Sequence, residues 1–228
     1  MRLNKYLSDV GYCSRRKADK LIEAGSIKIN GQVATLGMQV EEGDQVEVEG
    51  KLIQKKKKTN LYIALNKPVG VECTANKEVR NNVIDFIGLK ERIYPVGRLD
   101  KNSEGLLILT NDGEFADYVM RAANHHEKEY IVQVNKAYDN KFINHMAKGV
   151  DLEGRMTRPC EVEAISAKTF KIVLTQGMNR QIRRMCQTLG YEVVKLKRIR
   201  IMSLKLDSIP KGKWRYLSDK EVRKIKDF

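Results

Sequence analysis

In the segment YPVGRLDKNSEGLLILTNDG, residues 94 to 113, an apolar strand ends at Val96 and Gly97 opens a loop. Asp100 sits on that loop, ahead of Gly105 and a second apolar strand from Leu106 to Leu109. A carboxylate on a loop braced by two buried strands is held rigidly and still reaches solvent, as a nucleophile or general base must. The same position suits a turn former or a solvated acid, so the segment alone leaves the choice open. Hydrolysis of a glycosidic bond would need a second acid at a defined distance, and none is evident. Cys13, Cys73, Cys160 and Cys186 lie far apart with no CxxC pair, and His125, His126 and His145 lack ligand spacing with one another or with a cysteine. Neither a zinc site nor a disulfide framework is implied, and no metal is expected.

The charge balance points to the partner. Lys and Arg total 43 against 29 Asp and Glu, a formal net charge of +14, which suits a polyanion. The excess is clustered: from Gly177 to Arg200, Arg180, Arg183, Arg184, Lys195, Lys197, Arg198 and Arg200 face a single acid, Glu192. A membrane surface would call for a basic amphipathic helix with bulky apolar residues opposite, and none is found. No apolar run approaches the roughly 20 residues of a membrane span, and the first ten residues lack a signal peptide's apolar core. A cytoplasmic protein is expected. No heptad argues for a dimer, so a monomer is the default.

The elements that must position these residues fall into two groups. Leu3, Tyr6, Leu7 and Val10 recur at helical spacing, and Gly11 stops that helix before Ser14 offers an N-cap for a second. The second helix carries Arg15, Arg16, Lys17 and Lys20 outside, with Ala18, Leu21 and Ile22 inward and Gly25 as its stop. The period then changes to two: Ile27, Ile29 and Val33 bracket the hairpin signal Asn30-Gly31, and Gly43-Asp44 punctuates a strand pair through Val46 and Val48. Lys55 to Lys58 read as a linker. The boundary falls there, giving a small module over residues 1 to 58 and a larger domain over 59 to 228. In the larger part, strands are expected at Leu61 to Leu65, Tyr94 to Val96, Leu106 to Thr110, Tyr130 to Val134, Phe170 to Leu174 and Val193 to Leu196. Helices are expected at Val83 to Ile87, Glu114 to Arg121, Asp139 to Ala147 and Asn179 to Leu189. Strands and helices do not alternate strictly, so an α+β domain around a mixed, antiparallel-rich sheet fits better than a doubly wound one.

The stretch RLNKYLSDVGYCSRRKADKLIEAGSIKINGQVA resembles the alpha-L RNA-binding motif, whose two helices present a basic face to structured RNA. The alternative is a solvated charged face; Arg15, Arg16 and Lys17 stand at the cap, where backbone N–H groups also favour phosphate. GRLDKNSEGLL resembles the catalytic-loop motif of the RsuA and RluF type of pseudouridine synthases, with the aspartate at Asp100. HEKEY, residues 126 to 130, resembles the motif whose tyrosine stacks on the target base, here Tyr130. QGMNRQIRRMC, residues 176 to 186, resembles the motif whose arginine pairs with the aspartate, here Arg183. NKPVG at residues 66 to 70 is also family-like. The resemblance runs from Arg2 to the GKWRYL segment, with the motifs in family order. Its wording is nearest to the RluF branch, which modifies large-subunit ribosomal RNA. Ser103 stands where other branches often have threonine and keeps the hydroxyl.

The resemblance implies isomerisation of uridine to pseudouridine in 23S ribosomal RNA, with Asp100, Tyr130 and Arg183 at the catalytic centre. Neither an organic cofactor nor a metal is implied. Asp100 must be ionised in a site closed by RNA, where burial disfavours charge, and Arg183 would offset that. Arg2, Lys5, Arg15, Arg16, Lys17, Arg98, Arg180 and Arg184 are the expected RNA contacts; a structural salt bridge remains the alternative for Arg98. Trp214 could stack on RNA or anchor the chain end to the core, and His125 and His126 are read as loop residues. Two rival readings stay open: the same chemistry on transfer RNA, and a non-catalytic RNA-binding assembly factor.

Overall fold

Leu3 and Leu7, four residues apart, face Ala18 and Ile22, also four apart, and each of the four is nearly or wholly removed from solvent. That pairing fixes α1 (Leu3–Asp9) against α2 (Arg15–Glu23). Ser14 caps α2, its Oγ accepting from the Lys17 N–H at 3.2 Å. Asn30 and Gly31 both take positive φ, the conformation a two-residue hairpin requires, and join β1 (Ile27–Ile29) to β2 (Gln32–Val33). β3 (Val46–Val48) pairs with β1 on one side and β4 (Lys51–Leu52) on the other. These elements make one compact unit, Met1–Asn60; Leu61–Phe228 makes a second. The structure, a computed structural model, describes residues 1–53, 59–76, 78–121, 125–207 and 209–226. The expected linker Lys55 to Lys58 lies outside the described residues.

The second unit runs β5 (Tyr62–Lys67), α3 (Val83–Ile87), β6 (Tyr94–Val96), β7 (Glu104–Thr110), α4 (Gly113–Met120), β8 (Lys128–Val134) and α5 (Asn140–Lys148). It continues with β9 (Glu161–Ser166), β10 (Thr169–Leu174), α6 (Gln181–Thr188), β11 (Val193–Ile201), β12 (Leu204–Lys205), β13 (Trp214–Tyr216) and α7 (Asp219–Lys226). Among the described residues its strands form one mixed sheet in the order β13-β5-β7-β11-β8-β10-β9, with β6 also on β7 and β12 also on β11. This is the expected α+β architecture with an antiparallel-rich sheet. Several strands depart from expectation. β9, β12 and β13 were not foreseen, because LK and WRY are too short to show a period and the glutamates of EVEAIS give it little apolar character. β11 runs on to Ile201, because its Lys and Arg residues pair between β7 and β8. Among the described residues, no helix is long and apolar enough to cross a membrane.

The sheet has two halves of different character. Around β5 and β7 both faces are covered: Leu106 and Ile108 pack toward α4 and α7, while Leu107 and Leu109 pack toward α3 and Leu99. That is why β7 reads as an unbroken apolar run. The β8-β10-β9 half buries one face, where Val132, Phe170 and Ile172 meet α5 and α6. Its other face carries an ion-pair row in which Lys171 meets Glu163 at 2.5 Å and Glu129 at 3.9 Å. Arg200 meets Glu129 at 2.5 Å and Glu127 at 2.8 Å.

The halves join through β7 and β11, the parallel pairing in the sheet, at Glu104 with Lys197 and Gly105 with Arg198. The approach is so close that a Cβ on Gly105 would lie 2.2 Å from the Arg198 carbonyl oxygen and 2.8 Å from its nitrogen. Gly105 also has φ +107, which an L side chain rarely adopts. At the chain's far end Trp214 is held in β13, which pairs with β5, so the anchoring role describes it. α7 begins with a capping box: the Ser218 N–H donates to Glu221 Oε2 at 2.8 Å, and the Glu221 N–H donates to Ser218 Oγ at 3.3 Å. Arg215 adds two hydrogen bonds to the same carboxylate.

Two outcomes follow. Gly105→Ala should destabilise the fold by roughly 3 kcal/mol, since backbone on both sides must part; urea unfolding measures it. The bond from Arg215, with help from Ser218, holds the Glu221 carboxyl down to about 2 against an ordinary 4.5. Its stabilising contribution is therefore complete above about pH 4.5 and lost as pH falls toward 2. Wild type should lose stability across that window more steeply than Glu221→Gln, and equal slopes would refute the assignment.

Candidate active site

Asp100 belongs to a loop tied down at nearly every residue. The Leu99 N–H meets Cys73 Sγ at 3.3 Å, and the Asp100 carbonyl accepts from the Ser103 N–H at 3.0 Å. The Lys101 carbonyl accepts from the Gly70 N–H at 2.8 Å. Beneath the loop lies Lys67, the last residue of β5, wholly buried, its ammonium donating to the Val71 carbonyl at 2.7 Å and the Pro68 carbonyl at 2.9 Å. A third contact reaches the Lys101 carbonyl at 3.5 Å. Three carbonyls thus use the three donors of the ammonium. Burial pulls the Lys67 pKa down, while Cys73, Asp100 and Glu104 push it back up. The NKPVG turn is thereby fastened to the Asp100 loop by a side chain that hydropathy would place at the surface.

Arg183, on α6, reaches the loop from the other half of the sheet. Its Nη2 donates to the Asn102 carbonyl at 2.9 Å and to the buried Ser103 Oγ at 3.2 Å, and its Nη1 donates to the Val193 carbonyl at 3.0 Å. Nε lies 3.6 Å from Asp100 Oδ2, an ion pair just beyond hydrogen-bond length, with Nε otherwise buried and unpartnered. Burial lowers the Arg183 pKa, the Asp100 charge raises it, and nearby Arg180 lowers it further. The guanidinium both faces the carboxylate and staples the loop that carries it, a service that Ser103 shares.

Tyr130 enters from β8, where it pairs with Arg198 of β11 and Ile172 of β10. Asp100, Ser103 and Tyr130 line one pocket of about 90 Å³, with Arg98 and Arg180 at its edge and Leu174, Ile182 and Leu196 among its apolar walls. Arg98 is exposed there. α6 starts at Gln181 rather than Asn179, because Arg180 takes the left-handed conformation, φ 48 and ψ 33. Gln181 fixes that start by accepting the Met178 N–H at 3.1 Å.

The basic cluster read from residues 177 to 200 is not one solvent-facing patch. Arg198 is 2% exposed, its Nε donating to the Leu106 carbonyl at 2.7 Å and its Nη2 without a hydrogen-bond partner among the described residues. Arg200 is spent on Glu127 and Glu129, Arg183 on the loop, and Arg184 bonds Glu153 at 3.0 Å. Arg180 and Lys195 are exposed. His126 is 5% exposed, packed on Tyr118 with Nδ1 3.3 Å from the Val119 carbonyl, while His125 contacts Arg158 at 3.2 Å. In the N-terminal unit Arg2, Arg15, Arg16 and Lys17 are exposed and Lys5 is partly buried. Sequence reasoning missed Lys67, the burial of Arg198, and Gln176 in the pocket wall; only the NKPVG match hinted at the first.

Comparison with known proteins places this geometry. Residues 61–188 match the RNA pseudouridylate synthase family, and residues 1–46 match the S4 domain. The dual-specificity RNA pseudouridine synthase RluF of Escherichia coli (strain K12) is 49% identical over 223 residues, covering 97% of this chain and 77% of that protein. Ribosomal large subunit pseudouridine synthase B of Bacillus subtilis (strain 168) is 36% identical, covering 99% of this chain and 95% of that protein. A crystal structure of a pseudouridylate synthase superposes with a TM-score of 0.74 at 28% identity, covering 99% of each chain. With a carboxylate and an aromatic ring lining one pocket of the matched region and a guanidinium 3.6 Å from that carboxylate, the chain belongs to the RNA pseudouridylate synthase family and is an RNA uridine isomerase of the RluF type.

Proposed function

We propose that the chain is a cytoplasmic enzyme that converts a uridine of large-subunit ribosomal RNA to pseudouridine in the Asp100 pocket. The observation carrying this is the convergence on one 90 Å³ pocket of Asp100 and Tyr130, with Arg183 3.6 Å from the carboxylate. In the reaction the N1–C1′ bond breaks, the uracil turns, a C5–C1′ bond forms, the C5 proton leaves and N1 is protonated. No electrons are gained or lost overall. Asp100 acts on the sugar, either as nucleophile at C1′ or as base. Arg183 keeps that carboxylate charged when RNA closes the site. Tyr130 offers its ring to the uracil, which must leave its stack to reach the loop.

RNA is gripped through phosphates by Arg2, Lys5, Arg15, Arg16 and Lys17 in the N-terminal module, residues 1 to 58. Arg98, Arg180 and Arg184 do so in the catalytic domain, residues 59 to 228. The choice of large-subunit RNA is supported by the printed name of the Bacillus subtilis relative, covered across 95% of its length. The words "dual-specificity" in the name of the more similar relative favour a second substrate class, for which a transfer RNA stem-loop, read by shape, is the candidate.

The test uses ribosomal RNA tritiated at uridine C5. Wild type should release tritium and Asp100→Ala should be slower by roughly 10²- to 10⁴-fold while still binding. Undiminished release by the variant would remove Asp100 from the chemistry. Release from transfer RNA but not ribosomal RNA would move the substrate. At Arg180, strain and function separate: Arg180→Gly frees a left-handed position and should stabilise the fold by roughly 1 kcal/mol, about 2–4 °C in thermal midpoint. The same change should lower the slope of log affinity against log salt by about one.

A further inference from the structure

Gln176 lies between β10 and α6, in the wall of the pocket that Asp100 and Tyr130 share. Its Nε2 is buried and meets no hydrogen-bond partner among the described residues. Gln181, five residues on, shows the contrast: its Oε1 accepts from Met178 and its Nε2 rests 3.8 Å from Met185 Sδ. The backbone around Gln176 is fixed on both sides, by Arg158 donating to the Thr175 carbonyl at 3.5 Å and by the Gln181 hold on Met178. A buried amide donor left unmade costs stability, and each such group in a folded protein asks for an explanation. The side chain that carries this donor lines the pocket, whose other walls include Leu174, Ile182 and Leu196, and no described protein group takes the acceptor's place.

We propose that Gln176 is a base-recognition residue, whose Nε2–H donates to a carbonyl oxygen of the uracil seated in this pocket. The inference rests on the reading that the uridine reacts beside Asp100. Uracil's own symmetry makes one donor sufficient for both ends of the reaction. A half-turn about the line through N3 and C6 exchanges N1 with C5 and, in the same motion, O2 with O4. The oxygen that leaves Gln176 when the glycosidic bond breaks is replaced by its counterpart when the C5–C1′ bond forms. A fixed donor therefore holds substrate and product alike and releases the base only while it turns. A carboxylate at 176 would face those oxygens with like polarity.

The experiment measures single-turnover rate and KM for wild type, Gln176→Leu, Gln176→Glu and Asp100→Ala on RNA whose target is uridine, 2-thiouridine or 4-thiouridine. Gln176→Leu should lower kcat/KM on uridine roughly 10- to 100-fold, and Gln176→Glu should lower it further. Sulfur is the weaker acceptor, so wild type should lose rate on at least one thio-substrate, and Gln176→Leu should lose little more there, the signature of a shared interaction. If both Gln176 variants match wild type on uridine, or sulfur costs variant and wild type alike at both positions, the inference is overturned and the Asp100 reading stands. If Asp100→Ala turns over normally, the pocket reading falls and this inference falls with it.

Discussion

The parallel contact between β7 and β11 is only two residue pairs long, yet each group in the pocket depends on it. Gly105 lets the β7 backbone come against Arg198 at a distance no side chain permits. That approach sets the loop ending at Ser103 next to the half of the sheet that holds Tyr130 and α6. Asp100 comes from one half, Tyr130 and Arg183 from the other, and the bonds from Arg183 to Asn102, Ser103 and Val193 cross the same seam. A site divided between two halves must be held to within a few tenths of an ångström. Backbone-on-backbone packing is stiffer than side-chain contact, which suits it to that task.

Around this seam the chain accumulates buried positive charge. Lys67 and Arg198 are almost wholly enclosed, and backbone carbonyls rather than carboxylates are their hydrogen-bond partners. Arg198 also helps lower Lys128, which burial brings to about 8. Buried cations without carboxylate partners cost stability, and here they lie beneath a loop whose aspartate carries the opposite charge. The Asp100 charge works against the burial of two cations, Lys67 below the loop and Arg183 beside it, raising the pKa of each against the pull of desolvation.

Local signals made much of this legible. Two-residue and 3.6-residue periods located α1, α2, α3 and the Asn30-Gly31 hairpin, and the apolar run Leu106 to Leu109 announced a strand buried on both faces. The three motifs named Asp100, Tyr130 and Arg183, which the fold gathers in one place. What stayed hidden was charge used internally. Arg198 and Arg200 looked like an RNA-facing surface because composition cannot tell a solvated guanidinium from one donating to Leu106 or Glu129. β9 was unread because its glutamates serve an ion-pair row and not a core. The start of α6 was placed two residues early because nothing in an arginine foretells a left-handed backbone. Gln176 was invisible for a related reason: an unmade hydrogen bond exists only once the neighbours are in place.

The glutamates of β9 bear on how copies of the molecule meet. β9 ends the strand order on one side, and an end strand with free N–H and C=O groups is a template on which a second chain can add. Glu161 and Glu163 stand on it, and Glu163 is already engaged with Lys171. Antiparallel addition of a like strand would set carboxylates of one copy beside those of the other, where like charges repel. At the opposite end, β13 is three residues long and offers little to extend. A highly basic protein that gathers on RNA is brought to high local concentration by its own substrate. Both ends of its sheet are poor templates for strand addition by a second copy.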